Sequence, residues 1–265
     1  MKGLLLKSRL GFVFLMSMAV MACTADNEKL PRVSSDVTDS CSELITLNLP
    51  HTVITKAELV AAGDFAVSDS SSWFDGETFN VPAFCRIQAV AVPTRDSHIK
   101  IEIWMPAQRW NGRYHQYAEG GSAGGITYSM LAMRLNAGDA VATTDTGHVS
   151  KGLVWDWALG HPEKIIDFGY RSHKETSDIA KAIVERYYAR KPEYAYFSGC
   201  SRGGHAGLVS ARRYPDDWDG ILVGAAPADL TKHFSYYTWR SLIQHQNPQG
   251  RIASTKLPAI QRAAR

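Results

Sequence analysis

Apolar and polar residues alternate from Phe84 to Val92 and again from Ile99 to Met105, with the turn formers Pro93 to Ser97 between them. A period of two flanked by turn residues predicts a pair of neighbouring strands. Arg113–Tyr117 predicts a further strand, which runs into Glu119-Gly120-Gly121-Ser122-Ala123-Gly124-Gly125. Tyr128–Asn136 reads as a helix, and Ala140–Thr144 as an apolar strand ending in Asp145-Thr146-Gly147-His148. Within Ser177–Ala189, Ile179, Ala182, Ile183 and Tyr187 recur at helical spacing and predict an amphipathic helix. A strand at Tyr194–Ser198, a helix at Gly204–Tyr214 and a strand at Gly220–Val223 follow. Strands alternating with helices imply a parallel sheet, here behind an antiparallel opening pair.

The chain's first residues follow a different pattern. Lys2, Lys7 and Arg9 precede a short apolar run from Gly11 to Met21, the layout of an export signal. Val20-Met21-Ala22-Cys23 resembles a bacterial lipobox, so residues 1–22 read as a signal peptide of lipoprotein type with lipidation at Cys23. The alternative is an ordinary signal cut near Ala22. Residues 23–40 are polar and read as a flexible tether, and the folded part opens at Cys41. Either signal exports the protein, to the periplasm, to the outer membrane as a lipoprotein, or out of the cell. A lipidated Cys23 would attach it to a membrane. The remaining composition is globular, with 45% hydrophobic and 21% charged residues and a net charge of +3. No run of Lys and Arg interleaves with aromatics, which argues against a nucleic-acid partner.

Between the last predicted strand and helix lies Gly199-Cys200-Ser201-Arg202-Gly203, of the form G-x-S-x-G. A serine hydroxyl is a poor nucleophile unless the fold exposes it and a base removes its proton. A sharp strand-to-helix turn exposes it, and aims backbone N–H groups at the oxygen that becomes negative. The strand and helix on either side supply that context, and the whole layout is that of an α/β-hydrolase fold. Ser201 is then the nucleophile. One oxyanion donor is the backbone N–H of Arg202, and the second is that of Gly121, with Gly120 as the alternative.

The base and acid are harder to find. In this fold they follow the serine along the chain, on loops after later strands. Only 64 residues follow Ser201. His205 stands on the elbow helix, His233 and His245 lie among aromatics, and Asp216, Asp217 and Asp219 read as solvated turn residues. None makes a convincing triad member, so the chain reads as cut short. Cysteine pairing leads to the same expectation. Cys41 and Cys85 can form a disulfide and Cys23 belongs to the signal, which leaves Cys200 as a free thiol or half of a bond with an absent partner. Packing as a buried, inert thiol under the elbow is the third option.

Trp110-Asn111-Gly112-Arg113, Gly120-Gly121-Ser122-Ala123-Gly124, Asp145-Thr146-Gly147-His148 and Asp167-Phe168-Gly169-Tyr170-Arg171 form an ordered series of motifs. Gly199-Cys200-Ser201-Arg202-Gly203-Gly204 and Tyr214-Pro215-Asp216-Asp217-Trp218-Asp219-Gly220 complete it. Together these segments resemble the tannase and feruloyl esterase family, from about Cys41 to about Ala228. The resemblance implies an exported serine carboxylesterase acting on small-molecule esters of aromatic acids such as gallate or ferulate. It also implies a bond from Cys200 to a cysteine directly after the catalytic histidine. A large lid domain, often with a structural calcium ion, would follow the Gly220–Val223 strand, with the catalytic acid and histidine after it. On this reading residues 41–230 are a partial α/β-hydrolase core, truncated before the lid domain and the last strands, and residues 231–265 begin the lid. No cofactor or metal is then expected in this chain.

The family usually has arginine where His205 stands, and a small or acidic residue where Arg202 stands. Arg202 acts through its backbone, but its long cationic side chain could alter the acyl pocket. Asp145 and His148 are too thin a pair for a metal site and read as structural. Trp155 and Trp157 read as packing a loop onto the core, and Tyr236, Tyr237 and Trp239 as lid or core contacts. A second class of function is a non-catalytic exported domain that keeps the elbow but only binds a ligand or partner. Neither the ester nor the oligomeric state is written in the sequence.

Overall fold

Period-two alternation alone would bury one face of a strand, but the Ile99–Pro106 and Ala140–Thr144 strands are buried along nearly their whole length, so the observed sheet is covered on both faces. The computed structural model describes residues 40–150 and 153–264. The segments assigned to signal peptide and tether, through residue 39, lie outside these residues. Among the described residues the strands are β1 (Thr52–Val60), β2 (Gly63–Ala66), β3 (Thr78–Val81), β4 (Phe84–Ala91) and β5 (Ile99–Pro106). They continue with β6 (Arg113–Ala118), β7 (Ala140–Thr144), β8 (Tyr194–Cys200) and β9 (Gly220–Gly224). The helices are α1 (Tyr128–Asn136), α2 (Pro162–Ile166), α3 (Ser172–Tyr188), α4 (Arg202–Arg213), α5 (Leu230–Gln246) and α6 (Leu257–Ala263).

Seven strands form one sheet in the order β1-β4-β5-β7-β6-β8-β9, while β2 and β3 pair as a separate hairpin. The pairs β1/β4, β4/β5 and β5/β7 are antiparallel, and β7/β6, β6/β8 and β8/β9 are parallel. The antiparallel opening thus extends further than a single pair. β1 supplies an extra strand, although Lys56 and Glu58 interrupt its apolar pattern. The Ser177–Ala189 helix begins earlier than its apolar spacing indicates, because α2 runs into α3 through a π-bulge at Asp167–Arg171. Gly169 and the polar residues around it hide that continuity from a periodicity argument.

One face of the sheet is covered by α3, whose Ile179, Ala180, Ile183 and Val184 pack on Ile87, Ile101, Ile103 and Tyr114. On the same face α4 sets Ala206 against Ala118 and Phe197. The opposite face carries α1, whose Tyr128, Leu131 and Leu135 meet Trp104, Phe84 and Val141 beside the β2–β3 hairpin. A disulfide joins Cys41 to Cys85 across 44 residues and pins the start of the domain to β4. No helix among the described residues is long and apolar enough to cross a membrane.

Candidate active site

β8 passes into α4 through Ser201 alone, whose backbone sits at φ 59° and ψ −121°. This conformation is costly for a residue with a Cβ and persists only where surrounding contacts impose it. Those contacts are backbone to backbone. Ser201 N–H donates to the Gly224 carbonyl at 2.9 Å, and His205 N–H donates to the Ser201 carbonyl at 3.0 Å. A Cβ on Gly199 would overlap the Gly203 carbonyl, and one on Gly203 would overlap the Ala118 carbonyl. The two motif glycines are therefore required by close approach. The result leaves Ser201 exposed at the N-terminus of α4.

Register delivers the glycine loop to the same place. β6 and β8 pair in parallel with Tyr117 opposite Ser198 and Ala118 opposite Gly199, so both strands end together. Glu119 and Gly120 then emerge beside Cys200 and Ser201. A Cβ placed on Gly120 would stand 3.6 Å from the Cys200 carbonyl oxygen and 3.9 Å from Ser201 Cβ. Gly121, with φ 64°, turns the loop away, and the Ala123 N–H closes it on the Gly120 carbonyl at 3.0 Å. Gly120 is thus the loop glycine lying against the serine. The loop also walls a cleft of about 300 Å³ whose other sides include Trp73, Phe74, Tyr117 and Ile126. Sequence patterning gave no sign of that aromatic wall, since Trp73 and Phe74 belong to a turn far from the loop in the chain.

The Arg202 side chain departs from its expected course. It does not line the cleft but turns inward, 3% exposed. Its guanidinium lies over the Phe168 ring at 3.9 Å, approaches His173 Nε2 at 3.0 Å and donates to the Phe168 carbonyl. Burial lowers it to about 10, with Glu119 as the opposing influence. Glu119 is itself 5% exposed. Backbone N–H groups of Glu119 and Thr144 face its carboxyl, but neither oxygen makes a hydrogen bond of ordinary geometry. Burial pushes this carboxyl up to about 8, with Arg202 pulling it back down. Phe168, His173 and Glu119 were missed as partners of the elbow. The one sequence signal was an acidic residue at the mouth of a glycine loop.

Several of the buried or half-buried histidines already hold other hydrogen-bond partners. His205 holds the Pro227 carbonyl with Nδ1 at 2.9 Å, and burial lowers it. His115 is bonded through Nε2 to Ser198 Oγ at 2.7 Å, and desolvation lowers it to about 4. His148 Nε2 donates to the Ser122 carbonyl at 2.8 Å while its ring stacks on Trp157 at 3.7 Å, and burial lowers it to about 4. His233 and His245 are exposed on α5. Asp145 accepts N–H groups from Lys100 and Gly147 at 2.9 and 2.8 Å, and burial raises it to about 7. Asp145 and His148 therefore brace loops, as does Trp157.

Other expectations need correction. Asp219 is no free turn residue, since it accepts the Ala195 N–H at 2.7 Å, and Asp217 pairs with Lys174 at 3.1 Å. Cys200 is not buried under the elbow; its thiol is free and exposed among the described residues. Tyr236, Tyr237 and Trp239 are exposed on α5, which leaves the lid alternative of their reading open. Phe234 alone reaches back, edge-on to Trp155 at 5.7 Å.

The tannase and feruloyl esterase family matches residues 85–265. An uncharacterized esterase of Xanthomonas campestris pv. campestris is 39% identical over 85% of this chain and 38% of its own length. A probable feruloyl esterase B of Aspergillus niger is 28% identical over 80% of this chain and 42% of its own. Among solved structures, feruloyl esterase B from Aspergillus oryzae superposes with a TM-score of 0.64 at 27% identity, over 72% of this chain and 37% of that one. An esterase from the same organism gives 0.66 at 28% identity, over 72% and 38%. The chain thus spans roughly two fifths of the length of the curated relatives it matches. The strand order, the serine elbow with its glycine loop and the match across residues 85–265 agree: this chain has an α/β-hydrolase fold and belongs to the tannase and feruloyl esterase family.

Proposed function

We propose that this chain carries the nucleophile and oxyanion hole of a serine carboxylesterase acting on esters of aromatic acids such as feruloyl or galloyl esters. The observation that carries the reading is the exposed Ser201, held at φ 59° with Gly120 against it. Ser201 Oγ attacks the ester carbonyl and loses its proton to a base. The carbonyl oxygen becomes an oxyanion, held by the backbone N–H of Arg202 and that of Gly121 or Gly120. Collapse expels the alcohol, which takes the proton back, and leaves an acyl-enzyme that water hydrolyses. The cleft bounded by Trp73, Phe74 and Tyr117 suits a planar arene beside that carbonyl.

Each buried histidine described is committed elsewhere, so we assign the base and its orienting acid to neither His205, His148 nor any other residue here. The Cys200 thiol, exposed beside Ser201, is free for the disulfide expected with a cysteine next to that histidine. Among the described residues no three His, Cys, Asp or Glu side chains converge as metal ligands, so none is assigned to the calcium ion of the lid. Export and lipid attachment at Cys23 complete the proposal. The Cys41–Cys85 disulfide supports the oxidising destination.

The test is hydrolysis of methyl ferulate and methyl gallate by the protein that carries this sequence. Ser201→Ala should lower turnover by about 10³-fold or more, as loss of a nucleophile does. Undiminished turnover in that variant would overturn the reading. Tight binding of these esters without Ser201-dependent turnover would instead favour a non-catalytic binding domain.

A further inference from the structure

Two buried ionisable side chains, one acidic and one basic, belong to the two segments that meet at Ser201. Glu119 precedes Gly120 in the glycine loop, and Arg202 follows the serine. Each is almost wholly buried, and among the described residues neither has a direct ion-pair partner: Glu119 keeps two unbonded oxygens and Arg202 an unbonded Nε. Their backbones are already in contact, because Gly203 is seated on the Ala118 carbonyl and a Cβ there would lie 3.0 Å from the Glu119 carbonyl oxygen. We propose that Glu119 and Arg202 are positioning residues, a buried charge couple that holds the glycine loop against the elbow so that the backbone donors of both segments converge on one oxygen. This rests on the esterase reading of Ser201.

No hydrogen bond joins the two among the described residues, and their influence on one another is electrostatic. Arg202 is fixed by His173 and by the carbonyl and ring of Phe168, which lies in the π-bulge between α2 and α3. Its charge is therefore rigidly placed, and Glu119 is the counter-charge that favours it. In turn Arg202 favours the ionised form of Glu119, against burial and the nearby Asp145. An unpaired charge in such surroundings costs more than the net value of the pair, so removing one partner should harm the site more than removing both.

Arg202→Met and Glu119→Gln, singly and together, test this in the whole protein. Above about pH 8, where Glu119 is ionised, each single variant should lower kcat for methyl ferulate about tenfold with KM little changed, a partial loss of oxyanion alignment. The double variant should recover most of that loss. Arg202→Lys, which keeps the charge, should lose less than Arg202→Met. The pH profile gives a second readout. The groups facing Glu119 are Arg202 on α4, Asp145 after β7 and Tyr117 on its own strand. A rise in kcat through about pH 8 should move alkaline in Arg202→Met and vanish in Glu119→Gln. Melting temperatures of the same set read the coupling independently of turnover. Additive losses in the double variant, or a Glu119→Gln enzyme indistinguishable from the parent, would overturn the couple. Ser201-dependent hydrolysis alongside additive losses sinks this inference alone. Hydrolysis that does not need Ser201 sinks the esterase reading and the positioning role with it.

Discussion

The elbow and α5 stand at opposite extremes of packing. At the elbow, backbones of β6, β8, β9 and α4 approach so closely that glycine is required at Gly199, Gly203 and Gly204. α5 carries Phe234, Tyr236, Tyr237, Trp239, Leu242 and Ile243, all exposed. It is a helix by local means, with Asp229 capping it through a 3.0 Å bond from the Lys232 N–H. The difference teaches that hydrophobic content makes an element, but only a partner surface makes a geometry. A strained serine can exist at the first region because many contacts over-determine it.

The sharpest way to break that contrast is one methyl group. Gly203→Ala drives a Cβ into the Ala118 carbonyl, while Gly169→Ala meets nothing within 4 Å. The first should cost about 3–5 kcal/mol of stability and the second well under 1 kcal/mol, as read by denaturant melting. Equal effects would show that the elbow is not over-determined by backbone contact.

A smaller effect is expected from the loop behind the site. His148 is buried and lowered to about 4, so its folded value lies below its unfolded one. Such a group lends stability above pH 6.5 that is lost as pH falls through that value toward 4. His148→Gln should remove about 2–3 kcal/mol of this acid sensitivity, measured as melting temperature against pH. An unchanged acid slope would mean that His148 titrates alike in the folded and unfolded chain.

The smallest effect belongs to α5. Trp239→Ser should shift stability by no more than about 0.5 kcal/mol, because the residue is 57% exposed and its ring meets Tyr236 of the same helix. Light scattering should show less self-association, since exposed apolar patches drive contact between copies. A large loss of stability would mean that α5 is held by packing after all.

Most strands that flank the site were legible as period-two or apolar runs, and β4 to β9 fall within about two residues of their patterns. β1 was not, because Lys56 and Glu58 break its apolar pattern, and the four-residue strands of the β2–β3 hairpin are too short to carry a signal. The serine, its flanking glycines and the glycine loop were legible too, since a strained turn restricts residue type locally. The inward course of Arg202 was not, nor were its partners Phe168 and His173, which stand about thirty residues away in the chain.

The sequence by itself determined the order of strands β4 to β9 and the elbow at Ser201, and made a Cys41–Cys85 bond possible, because each depends on neighbours in the chain or on matching chemistry. Only the tertiary structure decided that Gly120 lies against the serine, that Glu119 and Arg202 are buried together, and that His148 and Asp145 brace loops. Those outcomes hinge on the parallel register of β6 with β8, which sets where two strands end relative to one another. Register comes from packing across the sheet, and no local pattern encodes it.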